Sequence, residues 1–392
     1  MTRRPTPART VPRTGPRTGP RTGPRTATGG DLLHLVRVGG VDTRAELCRA
    51  TGLSRPAVAA RVAALVDAGL LTERTDGPST GGRPPARLAF NAAGGVVLVA
   101  NLGHSRGQLA VCDLAGRVLA QRDAGLPPAA APADALPRLL DGWTELMASA
   151  DIGAPVRGVG LGVPDAVPAG RWDGLDPSPA VAARFGVPAH LDNEVNAAAL
   201  GEHHAGAARD ADDVLFVKLS TGIGAGLIMG GRVQRGAFGA AGEIGHVAVP
   251  GGGDAPCRCG ASGCLEAVAG GAALLAGSPA ADLAELSALA RAGDPATVAL
   301  VRAAGHRIGA VLAGAVNLLN PALVVLGGDL TGAYEPLVAG VRAEVYGRAT
   351  APATSRLRIE PSALGDAAGV IGCAAMVLDR ILAPTAVDTA LA

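Results

Sequence analysis

The chain has 392 residues, a formal net charge of +1 and six cysteines. That length asks for two or three compact units rather than one core. The near-zero charge by itself points to no nucleic-acid partner, and cysteines this sparse exclude a disulfide framework and suit a reducing cytoplasm.

Residues 1–30 carry Arg3, Arg4, Arg9, Arg13, Arg17, Arg21 and Arg25, no acid, and an R-T-G-P unit in tandem. Such a segment cannot bury enough apolar surface to order itself. It is expected to be a disordered tail, and it lacks the apolar stretch of an export signal. Its charge could add nonspecific attraction to phosphates, although a passive tail is the simpler expectation. Arginine is so favoured over lysine throughout that Lys218 stands alone. This coding bias lowers what any single arginine says. No apolar run approaches the ~18 to 20 residues that cross a bilayer, so no membrane is expected.

From 31 to 92 the pattern changes to short amphipathic helices. Leu32, Leu33, Leu35 and Val36 form a stripe that ends at Gly39-Gly40. Thr43 with Glu46 carries a capping-box signature, and Leu47, Ala50 and Leu53 supply the next buried face. After Gly52, Ser54 caps a third helix with Pro56 in its first turn, and Val58, Val62, Leu65 and Val66 recur at helical spacing. In a helix-turn-helix the start of the third helix enters the major groove. Ser54, Arg55, Pro56 and Ala57 are then the DNA-facing residues, with Arg61 one turn on. Two short strands around the T-D-G-P-S-T-G-G-R-P-P-A-R loop make a wing, and its narrow Gly-Arg-Pro step suits insertion of Arg83 into an A-T-rich minor groove.

Beyond residue 93 apolar strand-like runs alternate with helical stretches. Val96–Leu102, Gln108–Cys112, Gly158–Pro164, Leu215–Leu219 and Leu323–Leu326 are the strands, with helices over Val195–His203 and Val301–Leu319. This α/β alternation is long enough for two lobes with a cleft. The expected division is 93–196, joined by 370–392, for the first lobe and 197–369 for the second. The stretch S-T-G-I-G-A-G at Ser220–Gly226 follows a strand and is small enough for backbone N–H groups to approach an anion. D-N-E-V-N-A-A-A-L-G-E places Asn193 and Glu194 at a helix start, where they either meet a ligand hydroxyl or cap the helix.

G-E-I-G-H, from Gly242, is followed by C-R-C-G-A-S-G-C-L-E. His246, Cys257, Cys259 and Cys264 offer one imidazole and three thiolates, the ligand set of a closed structural zinc site, and Gly260 and Gly263 allow the tight fold that converges them. A redox pair would explain Cys257 and Cys259 but neither Cys264 nor His246. Glu243 and Glu266 bracket this loop, so the ion would fix two carboxylates beside one pocket.

Together these motifs resemble the ROK family of repressors and sugar kinases within the actin-like ATPase superfamily. The resemblance runs from Asp31 to the S-A-L-G-D-A-A-G-V-I-G-C-A-A segment. It implies a winged helix-turn-helix followed by a two-lobed sugar-kinase-type α/β fold, with Asn193, Glu243, His246 and Glu266 on sugar hydroxyls and the histidine shared with zinc. Family kinases carry an aspartate general base where this chain has Glu194, one methylene longer, which displaces the carboxylate from a catalytic position. Their Asp-x-Gly-x-Thr phosphate element is Asn101-Leu102-Gly103-His104-Ser105 here, without the acid that a hard cation wants. Thr221-Gly222 and the G-G-D at Gly327–Asp329 match the second phosphate loop and an adenosine element. The stretch Gly162–Pro179 is shorter than the family's sugar loop.

The expectation is a cytoplasmic, sugar-responsive repressor that binds operator DNA as a homodimer or homotetramer, with effector residues Asn193, Glu194, Glu243, His246 and Glu266 and no catalytic residue. An ATP-dependent sugar kinase using Glu194, or a regulator that has lost sugar binding, are the alternatives.

Overall fold

The computed structural model describes residues 26–74, 87–103, 106–127, 130–164 and 167–392. Arg83, His104 and Ser105, the R-T-G-P repeats through residue 25, and part of the Gly162–Pro179 stretch lie outside the described residues.

The head comprises α1 (Gly29–Arg37), α2 (Arg44–Thr51), α3 (Arg55–Asp67) and the antiparallel pair β1 (Leu71–Arg74) and β2 (Arg87–Phe90). A reciprocal capping box opens α1: Asp31 N–H donates to Thr28 Oγ1, and Thr28 N–H to the Asp31 carboxylate. Thr28–Gly30 therefore belong to the head and not to the preceding tail. At α2 the cap is only half of the expected box. Glu46 N–H donates to Thr43 Oγ1, while the Glu46 carboxylate accepts from Asp42, one residue upstream. Gly52 ends α2 at φ 72°, and Ser54 caps α3.

The first lobe builds a sheet from β3 (Val96–Leu102), β4 (Gly107–Asp113), β5 (Val118–Asp123), β6 (Val156–Val163) and β7 (Ala189–Asn193), with α4 (Pro132–Ser149) and α5 (Ser178–Phe185) beside it and α6 (Glu194–Ala205) following. The second builds one from β8 (Val214–Leu219), β9 (Ile223–Met229), β10 (Arg232–Gln234), then, after α7 (Leu265–Ala269), α8 (Gly271–Ala276), α9 (Leu283–Arg291) and α10 (Pro295–Leu319), β11 (Leu323–Gly327). The elements α11 (Tyr334–Arg348), α12 (Ala351–Thr354), β12 (Arg358–Pro361), α13 (Ala368–Ile381) and α14 (Pro384–Leu391) complete the chain. The orders β5-β4-β3-β6-β7 and β10-β9-β8-β11-β12 are the same topology twice, an antiparallel meander extended by two parallel strands.

Strand alternation divides the cores. On β3, Leu98 and Ala100 face α4 through Leu139 and Trp143, while Val97 and Val99 face α13. On β8, Leu215 and Val217 face α10, and Val214 and Phe216 face α6. Helices α6 and α13 thus lie between the two sheets and against each other. Only glycine permits this approach: a Cβ on Gly372 would sit 1.6 Å from the Ala197 carbonyl oxygen, and one on Gly201 2.1 Å from that of Ala368. The expected lobe boundary after residue 196 falls inside α6, a continuous helix.

α14 likewise departs from the expected division, because it packs on the head. Gly30 N–H donates to Asp388 Oδ1 at 2.8 Å, and Val387 joins a core that also holds Leu32, Leu33, Val58, Val97 and Val377. Arg157 on β6 fastens the same junction by donating to the carbonyls of Ala68 and Gly94. By length and composition α10 is apolar enough to cross a membrane, contrary to the sequence expectation, but Val301, Ile308, Leu312 and Val316 are buried in the second lobe's core.

Candidate functional sites

On the head, Ser54, Arg55 and Pro56 are exposed at the start of α3 and Ala57 is half-buried, while Val58, Val62 and Leu65 face inward. The exposed positions are those that would meet base edges. Arg61 is turned back, its Nη1 donating to the Ala57 carbonyl. Arg87 leads into the wing strand and pairs with Asp42.

Between the lobes, Asn193 ends β7 and caps α6, its Oδ1 accepting from the N–H groups of Val195 and Asn196. The capping alternative therefore holds for this oxygen. Glu194, 6% exposed, accepts from Lys218 Nζ at 2.7 Å. This pair borders two pockets at once. One contains Asn193, Thr221, Glu243 and Arg258, and the other Asn101, Arg106, Asp329 and Asp366. In the second pocket Arg106 reaches from the β3–β4 turn to both Asp329 and Asp366.

The S-T-G-I-G-A-G stretch is a hairpin. Ser220–Gly222 form the turn from β8, and Ile223–Gly226 already belong to β9. Ser220 Oγ is occupied by the N–H of Asp329. Glu266 lies behind this turn, 8% exposed, and its carboxylate accepts from Ile223 N–H and from Arg258. Arg258, rather than Glu266, lines the pocket with Asn193 and Glu243.

His246, Cys257, Cys259 and Cys264 converge, with their ligand atoms all within 4.8 Å of one another. His246 Nδ1 is 3.3 Å from Cys257 Sγ, and Cys259 Sγ is 3.7 Å from Cys264 Sγ. A tetrahedral zinc with ordinary bond lengths has S–S edges of about 3.8 Å and N–S edges of about 3.6 Å, so this donor set fits the ion. Gly260 at φ 87° and Gly263 at φ 71° make the necessary turns. His246 Nε2 lies 3.8 Å from Glu243 Oε2, which joins the cluster to the pocket through one side chain.

The MarR family model matches residues 32–79 and the ROK family model residues 99–380. The chain belongs to the ROK family. It is 28% identical over 355 residues to the xylose repressor of Bacillus subtilis (strain 168), covering 87% of this chain and 92% of that protein. A ROK family transcriptional regulator, homolog of E. coli MLC protein, superposes with a TM-score of 0.76 at 25% identity, over 93% of this chain and 98% of the other. The ROK family glucokinase from Streptomyces griseus in complex with glucose and AMPPNP gives 0.61 at 29% identity and covers 72% of this chain, 99% of its own. The kinase match leaves out a larger share of the chain than the regulator match does. This ROK protein is a transcriptional regulator.

Within this ROK chain the structure brings Asn193, Glu194 and Glu243 to one pocket and sets His246 and Glu266 behind it. Lys218 was missed as a site residue, although its being the sole lysine among so many arginines was a signal. Arg258, between two of the cysteines, carries no role in the sequence reading of that motif.

Proposed function

We propose that this chain is a sugar-responsive repressor. It grips operator DNA through the start of α3 and the Arg83 wing, and it senses its effector at Asn193, Glu243 and the residues around them. The observation that carries this reading is the single core shared by the DNA-reading helices and α13, which lies against the helix that Asn193 and Glu194 begin. A ligand that changes the set of α6 therefore has a packed route to the head, and the head can respond only by as much as the ligand's affinity differs between the two arrangements.

Two chains related by a two-fold axis would read half-sites one or more helical turns apart. Zinc held by His246, Cys257, Cys259 and Cys264 would clamp the loop and orient His246 and Glu243. A kinase role is disfavoured on this chain's own residues: the Lys218 ammonium already neutralises the carboxylate at the base position, and Asn101 replaces an acid at the metal-phosphate position. The repressor works where the DNA is, in the cytoplasm.

The test uses full-length protein on DNA fragments that it selects from its genome. Arg55→Ala should weaken the selected sites by ~10-fold or more, one good base contact's worth, and leave random DNA nearly unchanged. Xylose, glucose, mannose and N-acetylglucosamine are then titrated into the complex and into a coupled ATPase assay. A chain that prefers no fragment over random DNA, or one that turns over ATP with any of these sugars, refutes the proposal.

A further inference from the structure

A third space, distinct from the two pockets at Glu194 and Lys218, adjoins the effector pocket. It has a volume of about 390 Å³, and Gly239 borders both spaces. Three guanidinium groups reach it from separate segments: Arg171 beyond β6, Arg235 just past β10, and Arg380 in the last turn of α13. Two carboxylates face them, Asp176 and Asp192, so the formal balance of the chamber is 3 − 2 = +1.

The acids are already engaged. Asp192, 4% exposed, accepts from Asn193 N–H and Asn196 Nδ2 on one oxygen and from Arg235 on the other. Asp176 accepts from Ser178 N–H at the start of α5. Arg171 is held by the Gly174 carbonyl. The Arg380 guanidinium makes no hydrogen bond and no close ion pair among the described residues, although Asp192 is near enough to attract it. Although the residue is exposed at the surface, partial desolvation and then the neighbouring Arg235 hold its guanidinium below the usual value, against the opposing pull of Asp192. An arginine-rich composition makes single exposed arginines common, but it does not bring three from distant segments into one concavity beside a sugar-type pocket.

We infer that this chamber takes the anionic arm of the effector, so that the ligand is a charged sugar, a sugar phosphate or a sugar acid, with its hydroxyls at Asn193 and Glu243 and its charge at Arg380 and Arg171. Asp192 and Asn193 are consecutive, so one short stretch of β7 serves both halves of such a ligand. The inference rests on the effector reading above and narrows it to a chemical class.

Titration calorimetry on the full chain tests it with glucose, glucose 6-phosphate, glucuronate and inorganic phosphate at low and high salt. At low salt a charged sugar should bind about 10-fold or more tighter than glucose, as a charge-assisted hydrogen bond supplies. Salt should narrow the gap. Arg380→Gln should remove most of that preference and leave glucose binding unchanged, whereas Arg356→Gln, an exposed arginine outside the chamber, should alter neither. Preference for glucose 6-phosphate identifies phosphate as the arm, and preference for glucuronate identifies carboxylate; either supports the inference. Glucose binding as tightly as both charged sugars, an unchanged preference in Arg380→Gln, or phosphate alone binding as well as glucose 6-phosphate overturns it while the effector reading stands. Failure of every sugar to bind overturns both.

Discussion

Replacing Lys218 with methionine keeps the unbranched stem, one atom shorter, and removes the charge, which leaves Glu194 as a buried anion without its partner. At 2.7 Å the gross attraction is about 6 kcal/mol with an effective dielectric near ~20. Desolvation of both groups opposes it, and stranding one member of a buried pair typically costs about 3–5 kcal/mol. The Lys218 side chain is 24% exposed against 8% for Glu194. Water therefore relieves part of the penalty, and the expected loss lies at the low end, about 3 kcal/mol. Urea unfolding followed by circular dichroism reads it, with the slope unchanged. The Lys218→Met/Glu194→Gln double variant should recover part of the loss, because no buried charge remains. Strict additivity of the two single changes, or a loss below about 1 kcal/mol in Lys218→Met, the range of an exposed pair, would show that the pair is not a working unit.

Two further outcomes test the metal cluster and the helix crossing. Cys259→Ser should release zinc, measured by elemental analysis, and lower the melting temperature, since metal binding and folding are linked; unchanged metal content with intact melting contradicts the cluster's role. Gly372→Ala should destabilise by about 1–3 kcal/mol or more. Its Cβ would lie 1.6 Å from the Ala197 carbonyl oxygen, and contacts below 3.0 Å force a shift, so α6 and α13 must part by 3.0 − 1.6 = 1.4 Å. Gly347→Ala in α11, whose Cβ meets nothing within 4 Å, should be neutral or stabilising; equal denaturant midpoints for the two variants would disprove tight apposition.

The central strands were legible because they are buried on both faces: β3, β6, β8 and β11 read as continuous apolar runs. Edge strands were not. β5 is mostly exposed and reads as polar, and β10 and β12 are only three and four residues long. The glycines of β9 have a packing reason that the sequence does not show. Gly224 and Gly226 lie beyond the Thr221-Gly222 turn and are small because α6 presses on the strand: a Cβ at Gly226 would be 2.6 Å from Ala199 Cβ, and one at Gly224 3.0 Å from Val195. The metal ligands could be picked out because their spacing is local. The Lys218–Glu194 contact joins residues 24 apart on different lobes, and no local pattern announces it. Glu202 closed the helix motif without a stated role. It is fully buried and holds Ser362, Ala363 and Leu364, so its place in that motif is structural.

The bond between Gly30 and Asp388 spans 358 residues, with consequences for how the protein is made. As the chain leaves the ribosome, the amino-terminal helices emerge first, yet one side of α1 has no partner until α14 follows. A nascent or carboxy-terminally clipped chain therefore carries a head with an uncovered apolar flank. Anything joined to the chain after α14 would therefore lie beside the helices of the head and not at the far end of the molecule from them.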